Sequence, residues 1–195
     1  MKFSIYLGDI ADAPAEAVCT STNPRLSLMM GTGASIRARG GPEVMRACEG
    51  LAPRAPGTVH VTTSGALPHR AVIHCVASDA AHHSSVAVVR SCVAAALAAA
   101  DASGCATVAM PILGTGHARL RFTDAVRAMA LTAMDASTHV REVKFVTNDE
   151  ERVDELRAIL QEMAGTAVGV ERSAKVTPEP DSLWSDGYGL HFEIP

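Results

Sequence analysis

Aromatic residues are scarce: one Trp, two Tyr and four Phe make up 4% of the 195 residues. A β-sandwich core draws on such side chains, so their scarcity, beside abundant alanine, favours helices packed closely on a sheet. Paired cysteine motifs are missing as well. Cys19, Cys48, Cys75, Cys92 and Cys105 are odd in number, widely spaced and without a C-x-x-C pair, which argues against a zinc site or a disulfide framework. Basic residues form no run longer than two and, at 17 against 21 acidic residues, leave a formal charge of −4. General nucleic-acid binding is therefore not expected. The longest apolar run, Cys92 to Ala100, falls well short of the roughly 20 residues of a membrane span, and Met1 to Leu7 is too short for a signal-peptide core. These absences predict a cytoplasmic, reducing location with no membrane association, no bound metal and no cofactor. The length fits one domain with its own core, expected as a monomer.

What is present is an alternation of strands and helices. Lys2 to Leu7 and Ala15 to Thr22 read as strands, followed by a glycine-rich stretch from Leu28 to Gly41 and a helix over Glu43 to Leu51 opened by Pro42. Thr58 to Thr63 and Ala71 to Ala77 look like adjacent strands around the turn Gly65 to Pro68. Ser84 to Ala102 is a long Ala/Val helix closed by Gly104, and Cys105 to Met110 a buried strand. After a loop at Leu113 to Arg121, Thr123 caps a helix to about Ala136, and Glu142 to Thr147 makes another strand. Asn148 or Asp149 opens a charged helix to Met163, with a last strand near Thr166 to Glu171. This order predicts an α/β fold with a mixed, largely parallel sheet covered on both faces, over residues 1–172. Residues 173–195 read as an irregular tail: from Lys175 onward it holds three of the ten prolines, with Gly187 and Gly189, and Trp184, Tyr188 and Phe192 are placed to pin it to the surface.

Two glycine-rich loops, each following a strand, carry the chemistry: Met30-Gly31-Thr32-Gly33-Ala34-Ser35 and Leu113-Gly114-Thr115-Gly116-His117. Glycine lets successive backbone N–H groups converge on one point, and such a nest before a helix N-terminus favours a phosphate. Two of them point to a diphosphate. Neither has the spacing or lysine of a P-loop, and neither is a full G-x-G-x-x-G. Among the histidines, His60, His69 and His74 read as structural, His74 as a hydrogen-bonded core residue. His82 and His83 read as a solvated loop. His117, Arg119 and Arg121 read equally as a solvated basic loop or as positive charge near a phosphate.

The order of motifs resembles the macrodomain family from Lys2 to about Met163. Gly8-Asp9-Ile10 resembles its opening G-D-I, and Ala17-Val18-Cys19-Thr20-Ser21-Thr22-Asn23 sits where the family has a strand ending in N-A-A-N. Gly57-Thr58-Val59 through Leu67-Pro68-His69-Arg70-Ala71-Val72-Ile73-His74 resembles G-x-A-x-x-T-x-G-x-L-P-x-x-x-V-I-H, and Pro111-Ile112-Leu113-Gly114-Thr115-Gly116 resembles P-A-I-S-T-G. The resemblance implies a three-layer α/β/α fold and a cleft for ADP-ribose at the carboxyl ends of the strands. It implies that Asp9 accepts from the adenine amine while the Ile10 backbone serves a ring nitrogen, and that Asn23 meets the distal-ribose hydroxyls, the one weak candidate for a catalytic role. Gly31 to Ile36 would wrap the distal ribose and one phosphate, and Pro111 and Leu113 to Ala118 would close over the pyrophosphate.

Three departures bear on function. Hydrolytic members resembling the de-ADP-ribosylating enzymes carry an aspartate ten residues after that asparagine and a histidine four beyond it; this chain has Gly33 and Arg37 there. The usual agent for holding the attacking water is thus absent. Thr20 replaces the first asparagine of N-A-A-N, and Asn148 stands where many relatives stack an aromatic on adenine, so that stacking is lost while its amide can still pack on or bond to a purine edge as a ligand-binding residue. The resulting expectation is a binder of ADP-ribose, free or as a mono-ADP-ribosyl mark on a macromolecule. The alternatives are a hydrolase or phosphatase acting on an ADP-ribose derivative, and a binder of another adenine-nucleotide signal.

Overall fold

Short apolar segments separated by alanine-rich helices assemble, in the computed structural model, into one sheet with helices on both faces; the structure describes residues 1–51 and 53–174. The strands are β1 (Lys2–Leu7), β2 (Ala17–Thr22), β3 (Val59–Thr62), β4 (Ala71–Val76), β5 (Thr107–Pro111), β6 (Glu142–Thr147) and β7 (Gly169–Arg172). The helices are α1 (Gly31–Gly40), α2 (Pro42–Cys48), α3 (Val86–Ala102), α4 (Phe122–Asp135) and α5 (Glu151–Ala164), with a short 3₁₀ turn at Ile10–Asp12. Strand order is β3-β4-β2-β5-β6-β1-β7. Every neighbouring pair is parallel except β3 with β4, which run antiparallel across the Gly65 turn. This is the mixed, largely parallel sheet that the sequence implies.

The alternation of side chains along each strand divides the core between the two faces. Phe3, Ile5, Cys19, Ile73, Val108 and Phe145 belong to the cluster that includes the apolar residues of α3, α4 and α5. Tyr6, Val18, Val72 and Val146 belong to the second cluster, with Ile36 of α1 and Val44 of α2. Helix α3 offers the sheet a stripe of Val89, Cys92, Val93, Ala96, Leu97 and Ala100 at helical spacing. Its first turn is capped by Ser85, whose Oγ accepts from Val88 N–H at 3.2 Å. All five cysteines are free thiols. Among the described residues no helix is long and apolar enough to cross a membrane.

Two expectations are corrected. Gly31–Gly40 is helix α1 rather than loop. Glycines at 31, 33 and 40 penalise a helix by about 1 kcal/mol each relative to alanine, and tertiary contacts offset that cost. Thr32 Oγ1 lies 3.0 Å from Thr20 Oγ1, the Ser35 hydroxyl donates to Asp9, and Arg39 makes a forked pair with Asp12. Gly33 lets the helix approach so closely that an added Cβ would lie 3.0 Å from Leu28 Cα. Thr123, in turn, does not cap α4. The helix starts a residue earlier, at Phe122, and its N-cap Arg121 makes no side-chain capping bond but pairs with Asp124 at 2.9 Å. The tail from Lys175 with Trp184, Tyr188 and Phe192 lies outside the described residues.

Of the histidines expected to be structural, His69 and His74 are held by hydrogen-bond partners. The His69 ring nitrogens face the carbonyls of Ala15 and Ala11 at 2.9 and 3.3 Å, tying the turn before β4 to the segment before β2. His74 is fully buried in β4 with Nε2 2.8 Å from Thr62 Oγ1. Its Nδ1 finds no partner among the described residues.

Candidate functional site

In a parallel sheet the loops leaving the carboxyl ends of the strands share one edge, and here they frame a cleft of about 770 Å³. It is lined by segments following β4 (Ser78, His82), β2 (Asn23, Ser27), β5 (Gly114, Gly116, His117), β6 (Asn148, Asp149) and β1 (Gly8, Asp9, Ile10). These strands are adjacent in the order β4-β2-β5-β6-β1. At the usual strand spacing five neighbouring ends span roughly 19 Å, room for an extended dinucleotide-sized ligand.

Asp9 ends the turn after β1. Its Oδ1 accepts from Ala11 N–H at 2.8 Å and from the Ser35 hydroxyl, so one carboxylate oxygen fixes the 3₁₀ turn and helix α1 together. Asn23 follows β2 and folds its own loop: Oδ1 accepts from Arg25 N–H at 3.0 Å and Ser27 N–H at 3.4 Å. The acceptor half of this amide is therefore engaged, and Nδ2 is the half offered to a ligand. From α1, the first turn supplies Gly31, Thr32 and Ser35 to the lining. Gly33, Ala34 and Ile36 are not among the lining residues; Ile36 is wholly buried in the core and Gly33 packs on Leu28. Leu113 is likewise a core residue, with its backbone N–H turned to Met129 Sδ at 3.4 Å, whereas Pro111, Gly114, Thr115, Gly116, His117 and Ala118 line the cleft.

The turn after β5 is built for open backbone. Gly114 has φ +76°, and a Cβ there would lie 2.7 Å from Ser84 Oγ, so it is a point of contact with the loop after β4. Gly116 meets nothing within 4 Å. The turn closes on itself through Thr115 Oγ1 to Ile112 O at 2.9 Å and Leu120 N–H to Gly114 O at 3.0 Å. In the adjoining loop after β4, the Asp79 carboxyl is held below its ordinary value chiefly by the His83 N–H, with the Ala81 N–H adding to it.

Three lining residues, Phe122, Arg152 and His82, escape the motif reading. Phe122 opens α4, and the Arg152 guanidinium lies 4.9 Å from the centre of its ring. Arg152 is further tethered to Glu155 at 2.8 Å and Asp149 at 3.8 Å. The guanidinium and the phenyl ring form a cation–π pair in the cleft lining. The sequence signal of that pair is faint: an arginine four residues after Asn148, in the first turn of a helix, and a phenylalanine just after a glycine loop. His82 is the other residue missed, because a histidine in a polar loop has no periodicity to mark it.

Comparisons with known proteins agree with this architecture. A family model described as Macro domain matches residues 19–129. An uncharacterised protein of Mycobacterium tuberculosis is 31% identical over 129 residues, 66% of this chain and 36% of that protein, so the match spans about a third of that longer relative. A Citrobacter rodentium protein named O-acetyl-ADP-ribose deacetylase is 31% identical over 123 residues, 59% of this chain and 68% of that protein. Among solved structures, a mutant of the Oceanobacillus iheyensis macrodomain with ADPR superposes with a TM-score of 0.71 at 22% identity, covering 83% of this chain and 90% of that one. With more than half of its residues matched by the family model and the sheet order and cleft described above, the chain belongs to the Macro domain family.

Proposed function

We propose that the chain binds ADP-ribose, free or as a mono-ADP-ribosyl mark on a macromolecule, in the cleft that crosses the ends of β4, β2, β5, β6 and β1. The observation that carries this reading is the linear order of chemically different groups along that cleft. Asp9, with Oδ2 left for an exocyclic amine, and the Phe122–Arg152 pair stand at the β1/β6 end and suit adenine. The glycine turn after β5 stands in the middle, where backbone N–H groups suit a diphosphate without needing a basic surface. Asn23 stands at the β2 end, where Nδ2 suits a ribose hydroxyl. Family membership and the ADPR-bound structural relative support the same ligand.

Calorimetric titration tests it, with AMP and ADP as controls for adenine and diphosphate alone. Micromolar or tighter binding selective for ADP-ribose is the expected result; preference for a different adenine nucleotide would assign the cleft to another signal. Asp9→Ala should weaken ADP-ribose by about 1–3 kcal/mol, the scale of one charge-assisted hydrogen bond, and leave ribose 5-phosphate unaffected. An equal loss on ribose 5-phosphate would place Asp9 in the wrong subsite. Arg152→Ala should cost about tenfold for ligands containing adenine, read in the same titrations; undiminished affinity would remove the Phe122–Arg152 pair from the adenine end.

A second reading, hydrolysis of an ADP-ribose derivative, is favoured by the name of the Citrobacter relative. It needs a source of proton transfer, because position 33 is a buried glycine and the Arg37 side chain turns to Met29 Sδ at 3.5 Å.

A further inference from the structure

We infer that the face beside the Asn23 end of the cleft docks an acidic polypeptide segment next to the ADP-ribosyl mark, an inference that rests on the ADP-ribose reading of the cleft. In that reading Asn23 meets the distal ribose, so a macromolecule carrying the mark leaves the cleft there. The stretch that begins at Asn23 and runs to Pro56 holds five arginines and two glutamates, in a protein whose formal charge is −4. Positive charge is thus concentrated in the part of the chain that follows Asn23, against an acidic remainder.

Three of those arginines are tied to the loop after β2. The Arg25 backbone N–H donates to Asn23 Oδ1 at 3.0 Å. Arg37, on α1, reaches back to Met29 Sδ at 3.5 Å. Arg54 donates its backbone N–H to Pro24 O at 2.8 Å, which brings the segment before β3 onto the same loop. Seven of the fourteen arginines form ion pairs among the described residues, whereas Arg25, Arg37 and Arg54 pair with no carboxylate there. Arg54 Nε finds no hydrogen-bond partner among them either. In the loop after β4, which borders the same end, Asp79 engages its Oδ1 with the N–H groups of Ala81 and His83. The three guanidiniums are therefore available to carboxylates of a partner.

The neighbouring side chains select the kind of partner. Met29 and Met30, in the same loop, are 59% and 55% exposed. Met30 lines the cleft and Met29 lies outside its lining, so the pair continues the surface outwards from the bound ligand. Thioether side chains adapt to irregular apolar surfaces such as the stems of a peptide's side chains, while guanidiniums fork onto its carboxylates. A phosphodiester backbone uses the arginines and leaves both methionines in water. The occupant is therefore a polypeptide with Asp or Glu close to the modified residue.

The experiment uses the full chain and ADP-ribose joined through its distal ribose, by a non-cleavable linker, to a glutamate-rich peptide, a lysine-rich peptide of the same length, or a short single-stranded DNA. Free ADP-ribose is titrated in parallel. At low salt the glutamate-rich conjugate should bind about tenfold tighter than free ADP-ribose, the scale of three exposed ion pairs, and the lysine-rich conjugate more weakly than free ADP-ribose. High salt should bring the two peptide conjugates together. The double variant Arg25→Glu, Arg54→Glu should invert their order while shifting free ADP-ribose less than twofold, with an unchanged melting temperature as the check on folding. Met29→Ser should weaken the glutamate-rich conjugate about threefold at either salt, because it removes apolar contact rather than charge. Equal binding of the two peptides by the wild type, or an order that a folded double variant leaves in place, would overturn the inference. Tightest binding of the DNA conjugate would overturn it as well and assign the face to nucleic acid. A wild type that does not bind free ADP-ribose would overturn the reading of the cleft, whereas one that binds it without peptide selectivity would remove only the docking face.

Discussion

Gly116→Glu is expected to abolish ADP-ribose binding, by 100-fold or more, while leaving the melting temperature unchanged. A Cβ at Gly116 would meet no atom within 4 Å, so the substitution starts without a clash. In the proposed binding mode the new carboxylate faces the diphosphate. A carboxylate about 4 Å from a phosphate charge costs about 4 kcal/mol at the effective dielectric of a protein surface, and each 1.4 kcal/mol is tenfold in affinity. Gly116→Ala, in the same open space, should bind within severalfold of wild type, which separates charge from bulk. Gly114 behaves oppositely: its φ is +76° and an added Cβ would lie 2.7 Å from Ser84 Oγ, so Gly114→Ala should lower stability as well as affinity. Calorimetry and thermal melting on the three variants check all of this, and a Gly116→Glu protein that binds normally would mean that the diphosphate lies elsewhere.

The second large effect is on stability and depends on pH. Burial in β4, helped by the neighbouring His60, pushes the His74 imidazole from 6.5 down to about 4. In the unfolded chain His74 takes up a proton as the pH falls below about 6.5, while in the folded chain it stays neutral until about 4. The unfolded state thus binds more protons in this window, so stability is lost on acidification between those values, in total about 3 kcal/mol. Urea unfolding at about pH 7.5 and about pH 4.5, on either side of most of that window, should show this loss. His74→Gln, which can still reach Thr62 and does not titrate, should show a much smaller one. Equal losses in the two proteins would assign the effect to carboxylates instead.

Strands and the long helix were legible from the chain because each is specified locally. Lys2–Leu7 and Glu142–Thr147 are short apolar segments with polar ends, and Val86–Ala102 pairs a serine cap with a regular apolar stripe. Helix α1 was not legible, because its reasons lie elsewhere in the chain: Thr20, Leu28, Asp9 and Asp12 hold a segment whose own glycines oppose it. The site divides in the same way. Asp9, Asn23 and the Gly114–Gly116 turn stand in ordered motifs at strand ends, whereas Phe122, Arg152 and His82 depend on which loops meet across the sheet. No spacing along the chain encodes the 6.3 Å between the ring centres of His82 and His117, since it follows from the order β4-β2-β5.

The contact between Gly33 and Leu28 also constrains substitution. A Cβ at position 33 would press on Leu28 Cα at 3.0 Å, and backbone yields less readily than the end of a side chain. Positions 28 and 33 therefore behave as one epistatic unit. Any side chain at 33, an aspartate included, requires the backbone at Leu28 to give by a few tenths of an ångström. A change at either position is therefore expected to depend on the residue at the other, so the effects of substitutions at 28 and 33 should not add.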